Sequence, residues 1–177
     1  LNEFFLKENK KMEIFFKNTP LGIVKVIGDE TAISVVTFAD QSEQNSPPPS
    51  IEPPKMVFTC FAQLDEYFEG SRTEFDLALA PEGTPFQQRV WQELQKIPFG
   101  ETISYLTLAI RLGDKKVIRA AAAANGKNPI WLIVPCHRVI GSNGDLVGYA
   151  GGLSRKKWLL QHENAQPAPT AQLTLTF

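Results

Sequence analysis

Histidine and cysteine are scarce in this chain of 177 residues, with two of each: Cys60 and Cys136, His137 and His162. Two cysteines far apart in sequence exclude a disulfide framework and fit a reducing compartment. No C-x-x-C or H-x-x-H spacing occurs, so the chain reads as a poor metal binder. No apolar run has the length of a membrane span, and the charged N-terminus does not read as a signal peptide. Met12 is a candidate natural start, which leaves residues 1–11 outside the fold reasoning. What remains is the composition of an ordinary folded protein, 43% hydrophobic and 21% charged, sufficient for one good core or two small domains.

The net charge of −1 hides an asymmetry. Residues 1–80 carry 7 basic and 13 acidic side chains, whereas residues 81–177 carry 11 basic and 6 acidic. A basic second half suggests a face for a polyanion, with an unspecific solvated charge distribution as the alternative.

Along the chain, Glu13–Lys17, Gly22–Ile27 and Ala32–Phe38 read as strands, the middle one β-branched. Residues 40–55 hold five prolines and read as a flexible loop. Lys55 to Phe68 reads as an amphipathic helix closed by Gly70, with Cys60 as a small core hydrophobe, and Glu74–Leu79 as a further strand. Pro81-Glu82-Gly83 marks a boundary. Thr84, Pro85 and Gln87 then spell an N-cap, an N1 proline and a capping box for a helix to about Lys96. Two short helices follow, capped by Ser104 and Asp114 and joined by a tight Leu-Gly-Asp turn. That is a helix-turn-helix pattern, although an ordinary helical hairpin shares it. In the second helix, Ala120 to Ala124 leave a surface nearly free of side chains, with Arg119 at its edge. A DNA backbone suits such a surface, and Lys115, Lys116 and Lys127 can reach phosphates. A last helix, capped by Ser154 with Leu153 and Trp158 as a hydrophobic staple, ends near Glu163. The tail from 165 to 177 reads as mobile.

The chemistry concentrates in Pro135-Cys136-His137-Arg138, a thiol, an imidazole and a guanidinium in succession after the apolar run Ile130–Val134. A strand feeding this turn would hold the sulfur at the mouth of a pocket, and the polar neighbours argue against burial. A thiolate is the nucleophile, and a nearby imidazole or cation lowers a thiol pKa. His137 is the candidate base; His162 or Glu163 can orient it, and a carboxylate is the better partner. The relay by itself does not separate hydrolysis from one-way alkyl transfer.

Residues 82–163 resemble the catalytic domain of the O6-alkylguanine-DNA alkyltransferases, the methylated-DNA–protein-cysteine methyltransferases. The resemblance runs in order through Gly83-Thr84-Pro85-Phe86-Gln87, Ile103-Ser104-Tyr105, Arg119-Ala120-Ala121, Asn125-Gly126-Lys127-Asn128-Pro129, Val134 to Ile140, Gly148 to Gly152 and Trp158 to Glu163. Residues 12–80 resemble more loosely the ribonuclease-H-like N-terminal domain of the same proteins. The resemblance implies an α+β fold: that small domain, then a mainly helical, winged-helix-like catalytic domain over 81–164.

It also implies single-turnover DNA repair. Cys136 accepts the alkyl group of O6-alkylguanine irreversibly, with O4-alkylthymine as a candidate second substrate, and no cofactor takes part. His137 takes the thiol proton through a water and Glu163 holds the imidazole. Tyr105 assists the departing guanine, and Asn128 ties the cysteine turn to the helix-turn-helix. Arg119 replaces a flipped nucleotide, as chemistry on a stacked base requires extrusion. Ala120, Ala124, Asn125 and Lys127 meet double-stranded DNA through the minor groove. Val139 reads the guanine amino group, Tyr149 walls the pocket, and Ala150 stands where some relatives carry serine and offers only its backbone N–H. Some relatives hold zinc in the N-terminal domain; no histidine precedes His137, so no metal is expected. A monomer is the default expectation for an oligomeric state the sequence leaves open, and the protein is expected to be cytoplasmic with access to the nucleoid, or nuclear in a eukaryote. A lesion sensor without the nucleophile and a cysteine hydrolase on another fold are the alternatives; Cys136 opposes the first and the helix-turn-helix the second.

Overall fold

Alternation of Val24 and Val26 with Lys25 places the two valines on the buried face of a three-stranded antiparallel meander. Its strands are β1 (Phe15–Thr19), β2 (Gly22–Gly28) and β3 (Ile33–Phe38), in that order, with Phe15 opposite Val26 and Val24 opposite Phe38. This computed structural model describes residues 13–44, 49 and 51–167; the start considered at Met12 and residues 1–11 lie outside the described residues. The three strands expected between residues 13 and 38 are present, within a residue or two of their read boundaries.

The proline-rich loop is not wholly irregular. Asp40 and Glu43 cap each other, Asp40 Oδ1 accepting from Glu43 N at 2.8 Å and Glu43 Oε2 from Asp40 N at 3.0 Å, and they close a one-turn helix α1 (Gln41–Gln44). The pattern Asp-x-x-Glu is legible in the sequence. Helix α2 (Lys55–Phe68) then buries Val57, Cys60, Leu64 and Tyr67, a 3-4-3 spacing that makes one helical stripe. Gly70 ends it at φ +80°.

The strand expected at Glu74–Leu79 does not form. Gln63 reaches from α2 and pairs with Asp76 through both ends of its amide, each at 2.9 Å, satisfying the backbone groups a neighbouring strand would use. Only Leu79 bridges Ile33, with Ile33 N donating to Ala78 O and Ala80 N to Ile33 O.

Helix α3 (Pro85–Leu94) carries the capping box of Thr84 and Gln87 as expected. A short strand that sequence reasoning missed, β4 (Glu101–Ser104), leads directly into α4 (Tyr105–Arg111), whose first turn Ser104 caps. After Gly113, Asp114 caps a 3-10 turn over Lys115–Val117 that continues as α5 (Ile118–Gly126). The helix-turn-helix is therefore present, but the alanine surface is divided. Ala121 and Ala124 pack into the core and Trp91 Nε1 donates to Ala124 O at 2.9 Å, while Ala120 and Ala123 are exposed.

Ile130–Val134 is not a strand either. Ile130 makes one bridge to Val36, Leu132 turns to φ +71°, and the segment coils around Asn128 before the 3-10 turn Cys136–Arg138. Strand β5 (Val139–Ile140) and a late strand β6 (Gln166–Pro167) flank β4 in parallel, in the order β5-β4-β6. Between them lies α6 (Leu153–His162), begun by Gly152 at φ +90° rather than by Ser154. Leu153 is half-exposed, so the expected staple is absent, and Trp158 packs instead on Phe68 and His162. The mobile tail read from 165 onward is corrected for its first residues, because Gln166 N donates to Gly100 O and extends β4; residues 168–177 lie outside the described residues. No helix among the described residues is long and apolar enough to cross a membrane.

Candidate active site

Asn128 builds the floor of the site. Its Nδ2 donates to Ile130 O at 3.2 Å and Val134 O at 2.8 Å, and its Oδ1 accepts from Ile130 N at 2.9 Å. One buried amide thus closes the loop that delivers Cys136, and Asn125 of α5 donates to Cys136 O at 3.4 Å. The helix-turn-helix and the cysteine turn are joined through these two asparagines.

Cys136 and His137 are both buried, at 3% and 0% exposure, which overturns the expectation of an open thiol. Burial pushes the thiol pKa up to about 11, although the Asn128 amide and the Lys156 charge pull it down. Cys136 is therefore a neutral thiol near pH 7. Arg138 does not face it. The guanidinium grips Glu163 through Nε to Oε2 at 2.8 Å and Nη2 to Oε1 at 3.1 Å, and its Nη1 donates to Ile97 O at 2.6 Å. The cation that acts on the thiol is Lys156.

Glu163, the C-cap of α6, is where the relay is anchored. Its Oε1 lies 2.8 Å from His137 Nε2, while His162 turns away to Tyr67 O at 2.7 Å. Burial alone would raise the Glu163 pKa, but the bonds from His137 and Arg138 hold it well below the usual carboxylate range. Burial lowers the His137 pKa despite the carboxylate beside it. A neutral imidazole facing an ionised acceptor must carry its proton on Nε2. Nδ1 is then a free lone pair, buried and without a protein partner.

The opposite wall is a glycine-rich loop held by Lys156, a residue that sequence reasoning missed. Lys156, fully buried on α6, donates to Val139 O at 2.6 Å, Val147 O at 2.8 Å and Gly148 O at 3.3 Å. Burial lowers its pKa to about 8. Its position after Ser154-Arg155 on the last helix reads as a solvated cation, so no sequence signal marks it. Tyr105, first residue of α4, leans on the same loop, its Oη donating to Val147 O at 3.2 Å and Gly148 O at 3.4 Å. Burial raises the Tyr105 pKa, so the phenol remains a donor. Tyr149 lies with its ring 6.4 Å from that of His137 and its hydroxyl buried without a partner. A Cβ on Gly151 would come within 2.6 Å of the Tyr149 ring, so a side chain there would displace that ring.

Cys136, His137, Glu163, Asn125, Asn128, Val139, Tyr105 and Tyr149 thus surround one site. Arg119, Ala120, Lys127 and Ala150 are exposed. Tyr67 of α2 is the other residue not foreseen, its Oη 2.7 Å from Glu163 Oε1.

The chain as a whole, from the sheet to the last helix, is similar to known proteins. The family model for the ribonuclease-like domain of 6-O-methylguanine DNA methyltransferase matches residues 14–81, and the model for its DNA-binding domain matches residues 85–165. The methylated-DNA–protein-cysteine methyltransferase of Methanosarcina acetivorans is 44% identical over 83% of this chain and 95% of its own. That of Mycolicibacterium paratuberculosis is 42% identical over 89% and 94%. Among solved structures, the Mycobacterium tuberculosis OGT in complex with DNA superposes with a TM-score of 0.76 at 41% identity, over 85% of this chain and 92% of that one. By sequence and fold, the chain belongs to the methylated-DNA–protein-cysteine methyltransferase family, whose members repair DNA by transferring the alkyl group to a cysteine of their own.

Proposed function

We propose that Cys136 is the alkyl acceptor for O6-alkylguanine flipped from double-stranded DNA, with α5 laid against the minor groove and the protein acting once, as a monomer. The observation that carries this reading is the buried Nδ1 of His137, a free base opposite an imidazole nitrogen fixed by Glu163. A thiol with a pKa of about 11 needs such a base during the step itself. The sulfur attacks the alkyl carbon, the carbon–sulfur bond forms as the carbon–O6 bond breaks, and the thiol proton passes through a water to Nδ1. Guanine leaves with the electron pair of the broken bond, and Tyr105 supplies the proton or hydrogen bond its ring nitrogen needs. The proton on His137 balances the charge afterwards.

A thioether is a poor leaving group, so the product is final. Val139 O and Cys136 O face the guanine amino group in this reading, Tyr149 walls the base, and the Ala150 N–H approaches O6. Arg119 enters the vacated stack, Ala120 allows the groove wall to approach closely, and Lys127 meets a phosphate. O4-alkylthymine offers a comparable alkyl oxygen and is the second substrate to try. Two free cysteines without a partner fit a cytoplasmic setting.

Intact and peptide mass spectrometry after incubation with duplex DNA holding one O6-methylguanine tests the reading. One methyl on the Cys136 peptide, in stoichiometric amount and without turnover, is expected. Unmodified protein that still selects the lesion would make it a sensor, and unmodified protein blind to the lesion would overturn the reading altogether.

A further inference from the structure

We propose that Tyr67, brought by α2 from the sheet side of the molecule, is a positioning residue for alkyl transfer that fixes the Glu163 carboxylate and limits its pull on His137. The inference rests on the reading of Cys136, His137 and Glu163 as the relay. Oε1 of Glu163 receives three donors: Tyr67 Oη at 2.7 Å, His137 Nε2 at 2.8 Å and Arg138 Nη2 at 3.1 Å. A carboxylate oxygen offers about two lone-pair directions, so the three compete for the same charge. Tyr67 is fully buried, and burial beside Glu163 raises its pKa, so the phenol stays protonated and can only donate to the carboxylate.

The packing around Tyr67 asks for an aromatic ring and not for a hydroxyl. Phe68, Phe75, Phe99 and His162 surround the ring at centroid distances of 5.1 to 6.2 Å. Phenylalanine would fill that place, so the hydroxyl is there for its one partner. The two last residues of the α6 region also hold Tyr67 at both ends, His162 at its backbone oxygen and Glu163 at its hydroxyl. The relay is thereby fastened to the N-terminal half through Tyr67, whose hydroxyl bonds the carboxylate and not the imidazole itself.

Removing the hydroxyl leaves Oε1 to His137 and Arg138. The imidazolium is then better stabilised, the imidazole gains a proton at higher pH, and the neutral base needed for transfer is lost sooner on acidification. Arg138 beside the imidazole, Lys156 of α6, Tyr149 of the glycine loop and Cys136 are the other charged or titratable groups facing it, and Tyr67→Phe leaves all four in place.

Single-turnover methyl transfer should be followed against pH for the full chain, Tyr67→Phe and Glu163→Gln, with His137 titrated in parallel by imidazole nitrogen NMR. Tyr67→Phe is expected to move the acid limb and the His137 titration up together by about half to one pH unit, and to lower the plateau about threefold to tenfold. A Tyr67→Phe protein whose limb and titration coincide with the parent's overturns the inference, whatever its plateau rate. If Glu163→Gln also leaves rate and profile unchanged, the relay itself fails.

Discussion

The molecule holds two cysteines in two settings, and both are free and buried. Cys60 lies on α2 in the core with Val57 and Leu64, and burial pushes its pKa up to about 12, opposed only by the charge of Lys17. Cys136 lies on its 3-10 turn at about 11. By resting acidity the two thiols are nearly alike, and neither is a thiolate at neutral pH. The difference is that His137, held by Glu163, offers a base beside Cys136, whereas no such base adjoins Cys60 among the contacts of the described residues. On the proposed reading, reactivity is a property of the step and not of the resting thiol.

The harshest test of that comparison removes each sulfur in turn. Cys136→Ala is expected to abolish methyl transfer while selective binding to the lesion remains, measured by mass spectrometry and by a gel-shift titration. Cys60→Ala should transfer within about twofold of the parent rate and cost about 1–2 kcal/mol of stability for the cavity it leaves, read from denaturant unfolding. A Cys60→Ala protein that cannot methylate itself would end the assignment.

Next in size is the relay. Glu163→Gln should slow transfer by about a hundredfold or more, because the amide can present its NH₂ to His137 and no longer imposes the tautomer. It also leaves Arg138 buried without its counter-charge, at a cost of about 3 kcal/mol. His137 is held below its ordinary value, so it stays neutral down to pH values under about 6.5 and the transfer rate should fall only on further acidification. Glu163 is depressed, so the stability it contributes is complete above its unfolded pKa near 4.5 and is lost as pH falls toward its folded value. Thermal melts between pH 3 and 7 should show that loss in the parent and much less of it in Glu163→Gln.

The grouping of Cys136, His137 and Glu163 was legible because they occur in short signatures at chain positions that a turn and a helix end occupy. Helix caps at Thr84, Ser104 and Asp114 were legible for the same local reason. What was not legible is whatever depends on a partner distant in sequence. Gln63 replaces a strand partner at Asp76, Asn128 coils a run of β-branched residues that reads as a strand, and Tyr67 reaches Glu163 from the other half of the chain. The division of the alanines also needed the fold, because all five promote helix equally and only packing against Trp91 and its neighbours decides which are buried. Polar neighbours in sequence misled on the burial of Cys136, since Arg138 and His137 find their partners inside the protein.

The gentlest test exchanges the cations. Each thiol feels one lysine charge, Lys17 at Cys60 and Lys156 at Cys136. Lys17 pairs with Asp65 at 2.8 Å near the surface, where ion pairs are worth about 0–1 kcal/mol, so Lys17→Met should leave both transfer and stability nearly unchanged. Lys156 is different in kind. Its ammonium satisfies three backbone carbonyls and shapes the loop that bears Tyr149, so Lys156→Met strands acceptors in the interior at about 1–3 kcal/mol. Removing its charge also makes the Cys136 thiol harder to ionise in the transfer step, and transfer should slow about tenfold at a pH where His137 is neutral. Lys156→Arg keeps the charge but not the compact three-way donor, so partial recovery of the rate would assign that share to electrostatics, and no recovery would assign the loss to loop geometry. Equal behaviour of the two Met variants would mean that the cation beside Cys136 is as incidental as the one beside Cys60, and that the imidazole alone separates the two thiols.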